Sequence, residues 1–284
     1  MRVARGRNGI FSGWTRAGSQ RVYVRVTTAM KERAASSNGD GLGYEGPPIV
    51  LVHGIGASSR SLKPIIHALG EEHAVYAPDL PGFGLSDFPT HPLDVPGLAE
   101  ALRRWMLDNQ IVSAAVVAVS SGCQVAVDLA ARFPELVERL VLYGPTIDPA
   151  GRGPLRLASR WARGAVFASP TLAAHQVHDL IDAGPWRAVR SLKMALDDPI
   201  ESKLPEVEAP TLVIRGRHDQ LVPRSWVERV AELIPAAELA SVRGGHIPGP
   251  RAAARLGPLI EHFVFDPQEE PAAQGGARGS RAGS

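Results

Sequence analysis

The sequence predicts an α/β protein: a mostly parallel sheet, helices on both faces, and a helical segment inserted into it. Short continuous apolar runs such as Ile49-Val50-Leu51-Val52 and Ala114–Val119 suit strands buried on both faces. They alternate with amphipathic stretches such as 97–109, where Leu98, Leu102, Trp105 and Met106 fall at helical spacing. The rhythm breaks once, between a strand ending near Tyr143 and one starting at Thr211. About sixty residues of mostly helical pattern intervene there, where a simple connection takes about 2–6, so they form an inserted subdomain.

Residues 1–31 hold six Arg and no Asp or Glu, and no apolar stretch follows Arg2, Arg5 and Arg7, which speaks against a secretory signal. Residues 1–19 are expected to be a flexible basic leader. Val22, Val24 and Val26 alternate with polar residues, so 21–27 is an early strand. Residues 30–46, rich in Gly, Ser and Asn, form a loop. Further strands are expected at 74–77, closed by Pro78, and at 140–143, 211–215 and 237–242. Helices are expected at 122–133, closed by Pro134, and at 225–234 and 252–264. From Asp266 onward the composition turns to Gly, Ala, Arg, Glu and Ser, which predicts a disordered tail. The expected organisation is an α/β core over 20–144 and 206–265, a helical cap over 145–205, and a tail over 266–284.

The bulk properties exclude several classes. Of 284 residues, 44% are hydrophobic and 21% charged, ordinary values for a soluble enzyme. A net charge of +2, with no basic run interleaved with aromatics, argues against nucleic acid as a partner. No stretch has the apolar length of a membrane span. Cys123 is the sole cysteine, which rules out an intrachain disulfide and a Cys-based zinc site. A reducing, cytoplasmic location follows naturally. Neither a metal nor a cofactor is expected.

The sharpest local feature is Ala118-Val119-Ser120-Ser121-Gly122, placed between a buried strand and a helix. A strand-to-helix turn that tight strains its central residue and needs small residues two positions to either side. Ala118 and Gly122 meet that need around Ser120; around Ser121 the corresponding residues, Val119 and Cys123, are bulkier. Ser120 is therefore the candidate nucleophile, and the Ser121 amide opens the helix toward a developing oxyanion. A serine hydroxyl needs a base. Among nine histidines, His246 follows Gly244-Gly245 just after the last strand, which puts it on the same sheet edge as Ser120. Asp219, after the strand at 211–215, supplies the anion that orients the imidazole. The order Ser, Asp, His is that of nucleophile-elbow enzymes. In His53-Gly54-Ile55-Gly56 the glycines let the backbone bend, so that the Ile55 amide provides a second oxyanion donor.

On these residues the chain resembles the α/β-hydrolase fold superfamily, in its serine-nucleophile branch with a helical cap, over about residues 20–265. Val52-His53-Gly54-Ile55-Gly56 resembles the family's oxyanion segment, and the run Asp79 to Asp87 (DLPGFGLSD) resembles its Gly-rich loop beside the pocket. Ser120, Asp219 and His246 fall on its nucleophile, acid and base. The resemblance implies an eight-stranded sheet with a cap after the sixth strand. Ala118 stands where Gly is commoner in the elbow, and Cys123 where Gly is frequent; a small buried Cys suits packing rather than chemistry. Asp148 follows the sixth strand, where some members place the acid, but Asp219 has the better local pattern. A Ser nucleophile argues against the dehalogenase and epoxide-hydrolase branches, which use a carboxylate.

The expected activity is cofactor-free hydrolysis of a carboxylic ester or thioester through an acyl-enzyme, on a small acyl substrate that is anionic or carrier-bound. Carbon–carbon bond hydrolysis of dienoic keto-acids, lyase or acyltransferase chemistry with the same triad, and plain ligand binding are the alternatives. Trp161, Phe167 and Trp186 are expected to line an apolar acyl pocket. Arg152, Arg156, Arg160 and Arg163, and likewise Arg187, Arg190 and Lys193, fall at helical spacing. They either draw an anionic substrate or form a polar outer face, and the outer face is favoured. His53 is expected to serve structure, His218 to be exposed, and His175 and His178, with Asp179 and Asp182, to lie on a solvated cap helix.

Overall fold

A computed structural model describes residues 2–5, 9–27, 46–153, 156, 159–160, 178–179 and 184–266. Among the described residues nine strands form one sheet: β1 (Arg2–Arg5), β2 (Ile10–Ala17), β3 (Gln20–Thr27), β4 (Ile49–Val52), β5 (Val75–Pro78), β6 (Ala114–Val119), β7 (Val137–Tyr143), β8 (Thr211–Gly216) and β9 (Ala237–Val242). Their order is β1-β2-β3-β5-β4-β6-β7-β8-β9. From β5 to β9 every pairing is parallel, while β1, β2 and β3 add an antiparallel edge. The expected eight-stranded, mostly parallel sheet is present as β2–β9, and β1 extends it.

The helices among the described residues are α1 (Lys63–Leu69), α2 (Val95–Asp108), α3 (Gly122–Arg132), α4 (Pro185–Asp197), α5 (Ile200–Lys203), α6 (Arg224–Leu233) and α7 (Pro250–Phe265). Side chains alternate across a strand, and this parity divides the core into two layers. Val50, Val52, Val116, Ala118, Leu140, Leu142 and Val213 pack with Leu98, Leu102, Val125 and Val230 of α2, α3 and α6. Ile49, Leu51, Ala115, Val117, Val141, Leu212 and Ile214 pack with Ile65, Ile66, Leu256 and Ile260 of α1 and α7. The central strands β4 and β6 are buried at every position, which is why they read as unbroken apolar runs.

The expected leader over 1–19 requires correction. Residues 10–17 form β2, which pairs with β3 from Ile10↔Thr27 to Ala17↔Gln20 around Gly18. Phe11 and Ala17 are buried, and the Trp105 indole of α2 donates to Thr15 Oγ1 at 2.8 Å, holding the hairpin on the core. The arginine bias of this segment hides a β-pattern that becomes visible only once its inward face is covered. Helix α1 was also absent from the expected elements; it has only seven residues and starts directly from a 3₁₀ turn, Ser59–Leu62.

Of the inserted segment 145–205, the described residues include a 3₁₀ turn (Pro149–Gly151), α4 and α5. Its base is anchored to α3. Gln124 Nε2 donates to Ala195 O at 2.8 Å, and Lys203 Nζ bridges Asp128 (2.7 Å) and Asp198 (2.5 Å). Among the described residues, no helix is long and apolar enough to cross a membrane.

Candidate active site

The C-terminal edge of the parallel strands gathers the candidate residues. Strand β6 ends at Val119, Ser120 turns the chain at φ +59°, and α3 begins at Gly122. A left-handed backbone at a non-glycine residue is strained, and it lifts the Ser120 side chain clear of both elements. A Cβ at position 122 would sit 2.6 Å from His53 O and 2.7 Å from Val52 O. Those are backbone atoms of β4 and its loop, so only glycine lets α3 approach them. The Ser120 amide donates to Tyr143 O at 2.9 Å, fixing the turn to β7.

Ser120 Oγ lies 2.8 Å from His246 Nε2, and His246 Nδ1 lies 2.8 Å from Asp219 Oδ2. A carboxylate only accepts, so Nδ1 carries the imidazole proton, and Nε2 is left to accept from the serine hydroxyl. Asp219 is 2% exposed, and its other oxygen accepts the Leu221 and Val222 amides at 2.8 and 3.0 Å. Burial is the largest single influence on its carboxyl and opposes ionisation. The hydrogen bond and charge of His246, together with those two amides, outweigh it and hold the carboxyl below its ordinary range. Asp148 is engaged elsewhere, with Arg160 at 2.9 Å and the Ala150 amide at 2.9 Å.

Several positioning groups escaped the sequence reading. The Tyr143 hydroxyl donates to Gly245 O at 2.6 Å, pinning the loop that carries His246. A side chain at Gly216 would meet Gly244 O, Gly245 O and the Tyr143 hydroxyl. Arg215 Nη2 donates to Asp219 O at 2.8 Å. Gly144, at φ +57°, lies against the Asp219–His246 contact. Tyr143, Gly144 and Gly216 act across the sheet edge on loops from other strands, whereas Arg215 braces the loop that follows its own strand.

His53 is fully buried. Its Nε2 accepts the Leu80 amide at 2.9 Å and its Nδ1–H donates to Gly54 O at 2.9 Å, so it ties the 53–56 loop to the 79–87 loop. Burial lowers its pKa, which suits this neutral, structural form. Cys123 is buried with its thiol pushed up by burial, and it packs against Ala118 O and Tyr143 O. The Ile55 amide does not stand open. It donates to Ser121 Oγ at 2.9 Å.

Trp161, Phe167, Arg163, His175 and Asp182 lie outside the described residues. Trp186 is described and contradicts expectation: it is 63% exposed, with the Arg190 guanidinium 5.1 Å from its ring centroid. Among the described side chains of α4 the buried ones are Ser191 and Ala195, whereas Trp186, Arg190, Lys193 and Asp197 share the outward stripe. Aromatic character suggested a pocket residue, and helical phase put it outside. Arg152 and Arg160 are ion-paired with Glu201 and Asp148, and Lys193 with Asp197. Asp179, expected on a solvated helix, is buried and accepts from Ser58 Oγ at 3.0 Å and Arg60 Nη1 at 2.9 Å. It docks the inserted segment beside the 53–56 loop. His218 is exposed as expected.

This frame and edge have counterparts in known proteins. Residues 47–154 match a family model described as alpha/beta hydrolase fold. A poly(3-hydroxyalkanoate) depolymerase of Ectopseudomonas oleovorans is 29% identical over 239 residues, covering 76% of this chain and 84% of that protein. A hydrolase from Pseudomonas aeruginosa PA01 superposes with a TM-score of 0.70 at 22% identity, covering 89% of this chain and 98% of that one. A 2-hydroxy-6-oxo-6-phenylhexa-2,4-dienoate hydrolase from Rhodococcus sp. strain RHA1 gives a TM-score of 0.69 at 23% identity, covering 92% and 99%. The chain has the α/β-hydrolase fold. Depolymerase, esterase and carbon–carbon hydrolase chemistries all occur among the proteins similar to it.

Proposed function

We propose that this protein is a serine hydrolase of carboxylic esters or thioesters, with Ser120 as nucleophile, His246 as base and Asp219 as its orienting anion. One observation carries this: two 2.8 Å contacts in line, Ser120–His246–Asp219, starting from a serine at positive φ. Ser120 Oγ adds to the carbonyl carbon while its proton passes to His246 Nε2, and the carbonyl π electrons move to oxygen. As the tetrahedral adduct collapses, the bond to the leaving alcohol or thiol breaks and that group takes the proton from His246. Water then attacks the acyl-enzyme, giving its proton to His246. Collapse releases the acid and returns the proton to Ser120. These steps use only the chain's own groups and water.

The depolymerase relative supports an acyl-ester substrate by its name. Arg152 and Arg160 are engaged in ion pairs, which favours the polar-face explanation for that stripe over a substrate-binding one. A panel of aryl esters, acyl thioesters and a ring-cleavage dienoate, assayed on wild type and Ser120→Ala, tests the proposal. Ester or thioester turnover falls at least about 10⁴-fold in the variant with the fold retained. An unchanged rate refutes the assignment of Ser120. A kcat/KM highest for the dienoate moves it to carbon–carbon hydrolysis, and failure of wild type to label with a fluorophosphonate moves it to ligand binding.

A further inference from the structure

We propose that the Ser121 hydroxyl, held by the Ile55 amide, is an oxyanion donor of this site, working beside the Ser121 amide. The inference rests on the hydrolase assignment above and specifies how its oxyanion is bound.

Serine at the capping residue just before a helix ordinarily turns its hydroxyl back to the amides of the first turn. Ser121 occupies that position on α3 and makes no such bond. Its oxygen instead accepts the amide of Ile55, 66 residues away in sequence, at 2.9 Å. A hydroxyl has one proton and two lone pairs. With a lone pair taken by Ile55, the proton remains, and among the described residues no acceptor is recorded for it.

The position of that hydroxyl gives the proton a use. The point where a Cβ on Gly54 would lie is 3.3 Å from Ser121 Oγ and 3.4 Å from Ser120 Cβ. The hydroxyl and the nucleophile therefore flank the same glycine, and the oxygen of an acyl group attached to Ser120 develops its charge beside both. A part-buried amide already donating into the hydroxyl polarises it, so its proton is a stronger donor than that of an isolated serine. Ile55 then acts through Ser121 instead of touching the substrate. Gly54 leaves room for this close approach, which a side chain there would fill.

The test compares Ser121→Ala, Ser121→Thr and Ser121→Cys with wild type. Readouts are kcat and KM on the best ester of the panel, inhibition by an aryl trifluoromethyl ketone that adds to Ser120, and the circular-dichroism melting curve. Loss of one oxyanion donor costs about 10²–10³ in kcat. Ser121→Ala is expected to lose about 100-fold in kcat with KM within about threefold, and ketone inhibition to weaken in the same proportion. Ser121→Thr restores the rate to within about tenfold of wild type, because it returns the hydroxyl. A kcat for Ser121→Ala at or above wild type overturns the inference, since a hydroxyl that merely plugs the Ile55 amide hinders the reaction. A change confined to KM overturns it as well. If Ser121→Ala fails to fold, Ser121→Cys decides: a weak thiol donor of similar shape lowers kcat, and a wild-type rate refutes the role. Wild type that turns over esters through Ser120 while ignoring Ser121→Ala defeats this inference alone; wild type inert to esters and fluorophosphonate defeats the hydrolase assignment and this with it.

Discussion

Replacing Gly144 by alanine places one methyl group against the Asp219–His246 contact and little else. Gly144 follows β7 at φ +57°, with its amide donating to Ile214 O at 2.9 Å. The new Cβ would lie 3.2 Å from Asp219 Oδ2, 3.2 Å from His246 Nδ1 and 3.4 Å from His246 Cε1. Two costs follow. A left-handed backbone costs an alanine about 1–2 kcal/mol. At about 2–4 °C per kcal/mol for a domain of this size, Tm falls by roughly 2–8 °C. The methyl also falls a few tenths of an ångström short of comfortable contact, so the imidazole must shift by about that much. A misplacement of about 1 Å costs about 100-fold in rate, so a shift of up to about half that predicts roughly a tenfold loss in kcat. Steady-state kinetics on the best ester, with a melting curve, measures both. Gly153→Ala is the control: a Cβ there meets nothing within 4 Å, so it leaves Tm and kcat unchanged. A Gly144→Ala enzyme with kcat within twofold of wild type would refute the claim that alignment of the 2.8 Å Asp–His contact limits turnover.

Two further outcomes follow from buried titratable groups. His53 is held neutral by burial, its folded pKa below the ordinary 6.5. Below pH 6.5 the unfolded chain takes up a proton that the folded one refuses, so this residue's contribution is complete above 6.5 and declines as pH falls toward the folded value. Its slope is at most about 1.4 kcal/mol per pH unit, and urea midpoints between pH 5 and 7.5 should show an acid decline in wild type that is shallower in His53→Gln; parallel curves would exclude His53 as the source. The buried Cys123 thiol, with its pKa pushed up, should ignore a disulfide reagent at pH 8 in the native protein and react once urea unfolds it. Rapid native labelling would show that the face of α3 against β6 and β7 is open.

How much of the site can be read in advance depends on the range over which each residue acts. Ser120 was legible because the turn that strains it imposes small residues at 118 and 122, two positions away in the same stretch of chain. His246 and Asp219 were legible because each follows a strand expected from the sequence, and parallel strands deliver their following loops to one edge. Tyr143, Gly144 and Gly216 were not, since each acts on a loop supplied by a different part of the chain; Arg215 was not because its bond to Asp219 O, four residues on, leaves no sequence pattern. Trp186 was misread for a related reason: residue type marks an aromatic as apolar, but the phase of α4 relative to Ser191 and Ala195 decides whether it is covered.

Local order in the chain was thus enough to point to the fold class, the continuous buried strands and the three side chains proposed to react, because backbone strain and hydrophobic period act over a few neighbouring residues. The N-terminal hairpin, the docking of Asp179 beside the 53–56 loop and the partner of the Ile55 amide emerged only on folding. Each is a contact between segments far apart in sequence. The Ile55 amide could have pointed at substrate from any chain with the same motif; here a hydroxyl from 66 residues away meets it first.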